Sequence, residues 1–278
     1  MLLYEYTKSC GKDIILNSRL KVSEHRHFND PFEMSLQLKK IRGTDIKKYI
    51  FKNKNKLRDI YNKGQFNQTW KEFRRENSNP IKRDERAKII ASEANNDWKQ
   101  IFNPQRGSTA DYFLICCFCA APTKTIDEIL MWSHYTDGHE GLRYWLESEL
   151  LPKNIGVLDK IEYEDQIVSS DPIGFLTGKT DLTQKAIIKS LRVKSKAWEY
   201  EREYRWFVSK EFCKIDLEKN EYFVYIDLNA IKRIDFGVKI STNTIKEVTK
   251  KVKDLGLKTE FKKTVMDERE FKFNYVDI

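Results

Sequence analysis

AWEYEREYRWFV, residues 197–208, carries a period-two alternation of rings and charges. A strand sends successive side chains to opposite faces, so the spacing predicts Trp198, Tyr200, Tyr204 and Trp206 on one face. Glu199, Glu201, Glu203 and Arg205 then share the other face. The aromatic face needs a core to pack on, which anchors the strand. Carboxylates two residues apart on such a face stand about 6.5–7 Å from one another. Like charges held that close raise at least one pKa unless Arg202 or Arg205 relieves them. Such a pair suits stabilising a cationic transition state or positioning a sugar hydroxyl. A solvated edge strand with alternating ion pairs accounts for the same pattern.

Outward from this stretch, further strands are expected at Leu2–Tyr6, Leu20–Ser23, Asp111–Ala121, Gly141–Leu146, Gly156–Tyr163, Tyr222–Leu228, Ile231–Val238 and Lys258–Phe261. Helices are expected at Thr7–Asn17, Ile126–Tyr135, Leu182–Leu191 and Thr242–Val252, with a charged helical region from Glu33 to about Phe102. Strands that bracket helices define an α+β class built from small antiparallel or mixed sheets. One domain over 1–278, carrying a basic helical insertion over 39–105, is the expected organisation.

Three segments beside the first bear chemistry. MWSHYTDGHEGLRYW, 131–145, puts Trp132, His134, Tyr135 and His139 within eight residues, a stacking and hydrogen-bonding wall for a flat ring. The same residues also fit a helix C-terminus, with His134 on the dipole and Trp132 in the core. HRHFNDPFE, 25–33, reads as a helix start with Asp30 as N-cap, Pro31 next and Glu33 closing a capping box. As a loop instead, it offers Asn29 to a ligand's hydroxyl or phosphate. LLYEYT, 2–7, places Tyr4 and Tyr6 together, as core or as a ligand shelf, with Glu5 on the opposite face.

The composition narrows the classes. Of 278 residues, 40% are hydrophobic and 33% charged, with only 11 Gly and 6 Pro, which excludes collagen-like and wholly disordered chains. The longest apolar run, Leu114–Ala121, is far short of a membrane span of about 20 residues. With no basic-then-apolar leader, the expectation is a cytoplasmic protein with no membrane partner. Five cysteines without C-x-x-C spacing fit a reducing compartment. All four histidines (His25, His27, His134 and His139) lack helical metal-ligand spacing, so no metal is expected, although a metal-dependent nuclease stays an alternative.

Charge is concentrated. Between Lys39 and Ile89, 17 Lys and Arg stand against 6 Asp and Glu, a net +11, whereas the whole chain carries +9. Tyr49, Phe51, Tyr61, Phe66, Trp70 and Phe73 are interleaved with those cations, the mixture a nucleic acid requires. Lys52, Lys54, Lys56, Arg58, Arg74 and Arg75 are the candidate contacts, with a solvated helical face as the other reading.

Tyr4-Glu5-Tyr6, Phe28–Phe32, Cys117–Cys119, Met131–Gly141 and Trp198–Arg205 together resemble a large, mainly bacterial family known only as a domain of unknown function. The order of parts also looks like ADP-ribosyltransferases, enzymes that split NAD and transfer its ADP-ribose. That resemblance implies an ADP-ribosyltransferase-like core with NAD as substrate. It makes Glu203 the residue gripping the nicotinamide ribose and Glu201 the one that orients or activates the acceptor. Tyr4 or Tyr6 would fill the first-strand position and Cys119, beside Phe118, the next. No Arg or His stands on the first strand and Cys119 replaces a Ser, so His134 or Arg205 would supply polar contacts. A toxin or phage-defence effector acting on nucleic acid or protein fits this chemistry. The alternative is a non-enzymatic nucleic-acid-binding or sensor protein using 39–89.

Overall fold

The computed structural model describes residues 1–48, 54–63, 67–101, 113–170 and 180–278. The chain forms two compact units: Met1–Glu33, Thr109–Asp165 and Arg192–Ile278 make one, and Met34–Ser108 with Gln166–Leu191 the other.

The first unit is built on an eight-stranded mixed sheet. In chain order its strands are β1 (Leu2–Thr7), β2 (Phe113–Cys119), β3 (Leu142–Glu147), β4 (Gly156–Lys160), β5 (Glu203–Ser209), β6 (Ile231–Phe236), β7 (Glu260–Met266) and β8 (Phe273–Asp277). Across the sheet the order is β8-β7-β6-β3-β1-β2-β5-β4. Only β6 and β7 run parallel; helix α2 (Thr242–Asp254), capped by Ser241, connects them as a parallel pair requires. The class is therefore α+β. A three-stranded sheet (Arg19–Val22, Lys214–Asp216, Glu221–Tyr225) accompanies the main one.

One face of the large sheet is apolar. Leu3, Leu114, Cys116, Phe118, Tyr144, Leu146, Trp206 and Val208 pack there in a single cluster. Burying a side chain such as Phe118 contributes about 2 kcal/mol. The alternation that sends these residues one way sends Tyr4, Tyr6, Cys117, Cys119, Arg143, Glu203 and Arg205 the other. Helix α1 (Thr125–Tyr135) stands on that second face, packing Met131 and Trp132 against Tyr4, Tyr6 and Cys119.

The sheet is continuous but split. β1 pairs with β3 along its whole length, Leu2↔Glu147 to Thr7↔Leu142. It pairs with β2 at Tyr4↔Cys119 alone. Farther along, Ile115 bonds to Ser23 instead, through two backbone hydrogen bonds of 2.9 Å. β1 and β2 therefore diverge beyond Tyr4 and Cys119, and the gap between them is where the candidate site lies.

Two expectations are corrected here. Residues 197–208 are not one strand: Lys196–Glu201 is a 3₁₀ turn, and β5 begins only at Glu203. Arg202 between them adopts a left-handed conformation (φ 50°), its carbonyl accepting from Ala120. Alternation is broken there, so Trp198 and Tyr200 leave the face of Trp206 and pack on His134. Asp30-Pro31 starts no helix. Asp30 Oδ1 accepts from the Phe32 amide at 2.9 Å, closing a turn, and Glu33 is sent to Arg205.

The second unit holds helices Gly43–Ile46, Lys54–Lys63, Trp70–Ser78, Pro80–Ile101 and Thr180–Arg192, and pairs Leu36–Leu38 with Val168–Ser170. Its start is a strand rather than the helix expected from Glu33 onward. Thr69 caps one helix through a capping box with Glu72. Asn95 brackets the Ile41 backbone, accepting from its amide at 2.9 Å and donating to its carbonyl at 2.8 Å.

Candidate functional site

Five charged side chains, all nearly shut off from solvent, meet beside the split. Lys194 lies on the short strand Val193–Ser195, which pairs with Glu162–Glu164. Its Nζ donates to Glu201 at 2.6 Å and to Glu203 at 3.0 Å, and stands 3.6 Å from Glu33. Arg205 donates through Nε to Glu203 at 2.6 Å and through Nη2 to Glu203 at 3.2 Å and to Glu33. The 3₁₀ turn makes this convergence possible, because it swings Glu201 back toward Lys194 while β5 carries Glu203 and Arg205 on one face. The Glu203 amide donates to Tyr163 Oη at 2.8 Å, pinning the start of the strand. Tyr135 at the end of α1 donates to Glu201.

Three carboxylates against two cations leave this cluster one negative charge in excess. Burial raises the Glu203 pKa; Lys194 pulls it back and Glu201 raises it further. Burial opposes the Lys194 ammonium, but Glu203 and Glu201 outweigh it and hold its pKa above the ordinary range. Burial, then Glu201, pushes the Tyr135 phenol up. Burial likewise keeps Cys117 and Cys119 as neutral thiols, with Glu203 acting on the first and Glu201, Glu203 and Glu5 on the second. The cleft cysteines are therefore poor nucleophiles.

A cleft of about 450 Å³ opens over this cluster, within the range of small-ligand pockets. Glu5, Tyr6 and Lys8 form its β1 side, and Ile115, Cys116, Cys117 and Cys119 its β2 side. Lys21 lines it from the strand Arg19–Val22, and Ser23, His27, Phe28, Asn29 and Glu33 from the segment that follows; Met131, His134 and Tyr135 line it from α1. Lys194, Glu201 and Glu203 complete it. Behind His134, whose Nδ1 is 3.1 Å from Tyr200 Oη, Trp198 and Tyr200 extend an aromatic wall. Burial pushes the Tyr200 phenol up to about 12.

Of the residues singled out in the sequence, Tyr6, Asn29, Cys119, His134, Tyr135, Glu201 and Glu203 meet in this cleft, with Arg205 supporting Glu203 from behind. Three others go elsewhere. Tyr4 is buried against Trp145, ring centroids 4.5 Å apart, and Trp132 is wholly buried with its Nε1 on Tyr275. His139 lines a separate cleft with Met266, Phe271 and Phe273. Both aromatics were drawn away by Arg143, whose guanidinium lies among the rings of Tyr4, Tyr6, Trp132, Trp145 and Tyr275 while pairing with Asp235 and Glu128. Arg58, Arg74 and Arg75 are exposed on helices of the second unit. Lys52 falls outside the described residues, as do the side chains of Lys54 and Lys56.

Lys194, Glu33 and Glu5 are the functional candidates that sequence reading missed. Glu5 lies on the Leu3 side of β1, in the gap left by β2, and burial raises its pKa well above 4.5. The folded chain then holds a proton that the unfolded chain loses, so stability falls as pH rises from about 4.5, by up to about 1.4 kcal/mol per pH unit. Glu5→Gln should remove that component: unfolding free energies between pH 5 and 7 should decline less steeply than in the parent. Parallel profiles would show Glu5 ionised in the native state.

Among the described residues no group of three or more His, Cys, Asp and Glu is arranged to hold a metal ion, and no helix is long and apolar enough to cross a membrane. No protein-family model and no curated protein matches the chain. A solved structure, Thermus sp. 2.9 DarT in complex with ADP-ribosylated ssDNA, is similar at 11% identity and a TM-score of 0.31, with 92% of this chain and 88% of that chain covered.

Proposed function

We propose that the cleft cleaves the N-glycosidic bond of NAD or a related nucleotide and passes the ribosyl group to an acceptor. The observation that carries this reading is the convergence of Glu201 and Glu203 on one lysine at the wall of a cleft flanked by Tyr135 and His134. Breaking the C1′–N bond sends its electron pair to the nicotinamide nitrogen and leaves a cationic, oxocarbenium-like ribose. A cluster with one excess negative charge, buried where solvent screens little, complements one positive charge at that point.

The two carboxylates divide the work. Glu203 holds the ribose hydroxyl. Its oxygens already accept from Lys194 and Arg205, and the weak Cys117 thiol donor is the contact a hydroxyl displaces. Glu201 accepts from Tyr135 and Lys194, one bond to each oxygen, which leaves a lone pair on both. It takes the proton that the acceptor gives up on attacking C1′. Tyr135 and His134 flank the departing base. The test is release of free nicotinamide from NAD by the purified protein, followed by chromatography. Release above the uncatalysed rate is expected; intact NAD in the presence of protein, nucleic acid and water as acceptors would contradict the reading.

The basic segment 39–105 is read as an insertion that meets a nucleic-acid acceptor, because Arg58, Arg74 and Arg75 stand exposed with Arg58 over the Trp70 ring at 5.4 Å. Replacing these three arginines with Gln should weaken single-stranded DNA or RNA binding and lower its salt slope by about 2–3. The non-enzymatic binding reading predicts the same loss without any NAD turnover. A toxin or phage-defence role is a proposal that rests on the chemistry alone.

A further inference from the structure

Among the described residues, the buried charges around Arg143 and the Glu5 carboxyl differ in one respect. Around Arg143, each partner is matched within the fold: Asp235 accepts from Arg143, Trp145 and Arg233, and Glu128 from Arg143. That cluster explains itself as structure. Glu5 does not. Its side chain lines the cleft at the split between β1 and β2, yet its Oε2 is shut off from solvent and has no hydrogen-bond partner among the described residues. A carboxyl placed there without a partner costs stability, and nothing in the fold requires it.

We propose that Glu5 is a specificity-determining residue of the cleft, and that its carboxyl group contacts a primary carboxamide on the ligand. The inference rests on the nucleotide reading above and names the group that distinguishes the substrate. Burial raises the Glu5 pKa and so favours the protonated form, and a protonated carboxyl offers one O–H donor and one carbonyl acceptor side by side. A primary carboxamide presents the matching acceptor and donor, and the two groups close a pair of hydrogen bonds. A ligand carboxylate in the same place has no donor to return, and it brings a second negative charge toward a cluster already negative in excess. The position is right for this role. Glu5 lines the same cleft as Cys119 and as the carboxylates Glu201 and Glu203.

Equilibrium binding of NAD and of its nicotinic acid counterpart, which differs only in carrying carboxylate for carboxamide, tests this directly. The parent protein should favour the carboxamide by about tenfold or more. Glu5→Gln keeps a donor and an acceptor and should hold that ratio within about threefold. Glu5→Met fills the same space without either and should bring the ratio close to one, with the melting temperature showing that the fold is kept. A ratio unmoved in Glu5→Met, or lost in Glu5→Gln, overturns the assignment of Glu5 while leaving the nucleotide reading in place. Failure of the parent to bind either dinucleotide overturns both.

Discussion

Glu203→Gln should lower nicotinamide release from NAD by about 10²–10³-fold, the range expected when a preorganised charge opposite a developing ion is removed. The substitution keeps the shape and the acceptor oxygen but takes away the negative charge that meets the oxocarbenium-like ribose. It should leave the fold in place for a specific reason. The buried cluster of Glu33, Glu201 and Glu203 with Lys194 and Arg205 goes from one negative charge in excess to neutral, so no charge is left uncompensated. The melting temperature should therefore move by only a few degrees while turnover collapses. Retained turnover would remove Glu203 from the chemistry, and a large drop in melting temperature would assign it a structural role instead.

Lys194→Met has the opposite signature. It removes the one ammonium shared by Glu201 and Glu203 and leaves three buried carboxylates facing a single guanidinium. Breaking a buried pair from one side costs about 3–5 kcal/mol, which for a chain of this size lowers the melting temperature on the order of 10 °C. The loss should depend on pH with a definite sign. Lys194 holds the Glu203 pKa down against burial and Glu201. Without it the folded-state pKa rises further above the unfolded value, so the native state binds the extra proton more tightly. Stability of the variant should then be closest to the parent below the ordinary carboxylate range and diverge as pH rises through it. A pH-independent deficit would mean that Lys194 acts through packing on Trp198, whose ring lies 5.1 Å from its Nζ, and not through the carboxylates.

The fold class was legible because β1 and β5 alternate with period two and β2 is a short unbroken apolar run, each a strong local strand signal. The break at Arg202 was not, although Arg202 is a charge at a ring-face position between Glu201 and Glu203: the alternation on either side of it is also what one continuous strand would show. That single turn changes the site: it moves Trp198 and Tyr200 off the core face and folds Glu201 back onto Lys194. Lys194 itself was hidden by its neighbour Lys196, which pairs with Asp165 at the surface, and nothing local separates the two. Glu33 fitted a capping box so well that its long-range partner Arg205 was masked by a sufficient local explanation. Glu5 was placed on the correct face, but its burial depends on where β1 and β2 part, a property of pairing between segments more than a hundred residues apart. Tyr4 and Trp132 were expected at the ligand because aromatics near the site read alike whether they face a cleft or a buried arginine, and His139 because its segment mate His134 does line the cleft.

The most direct measurement is the structure of the Glu203→Gln protein with NAD bound. The nicotinamide ribose should lie with a hydroxyl at about 3 Å from the side chain of residue 203, the base against Tyr135 and His134, and its carboxamide toward Glu5. NAD bound in any other place, or absent at saturating concentration, would contradict the account.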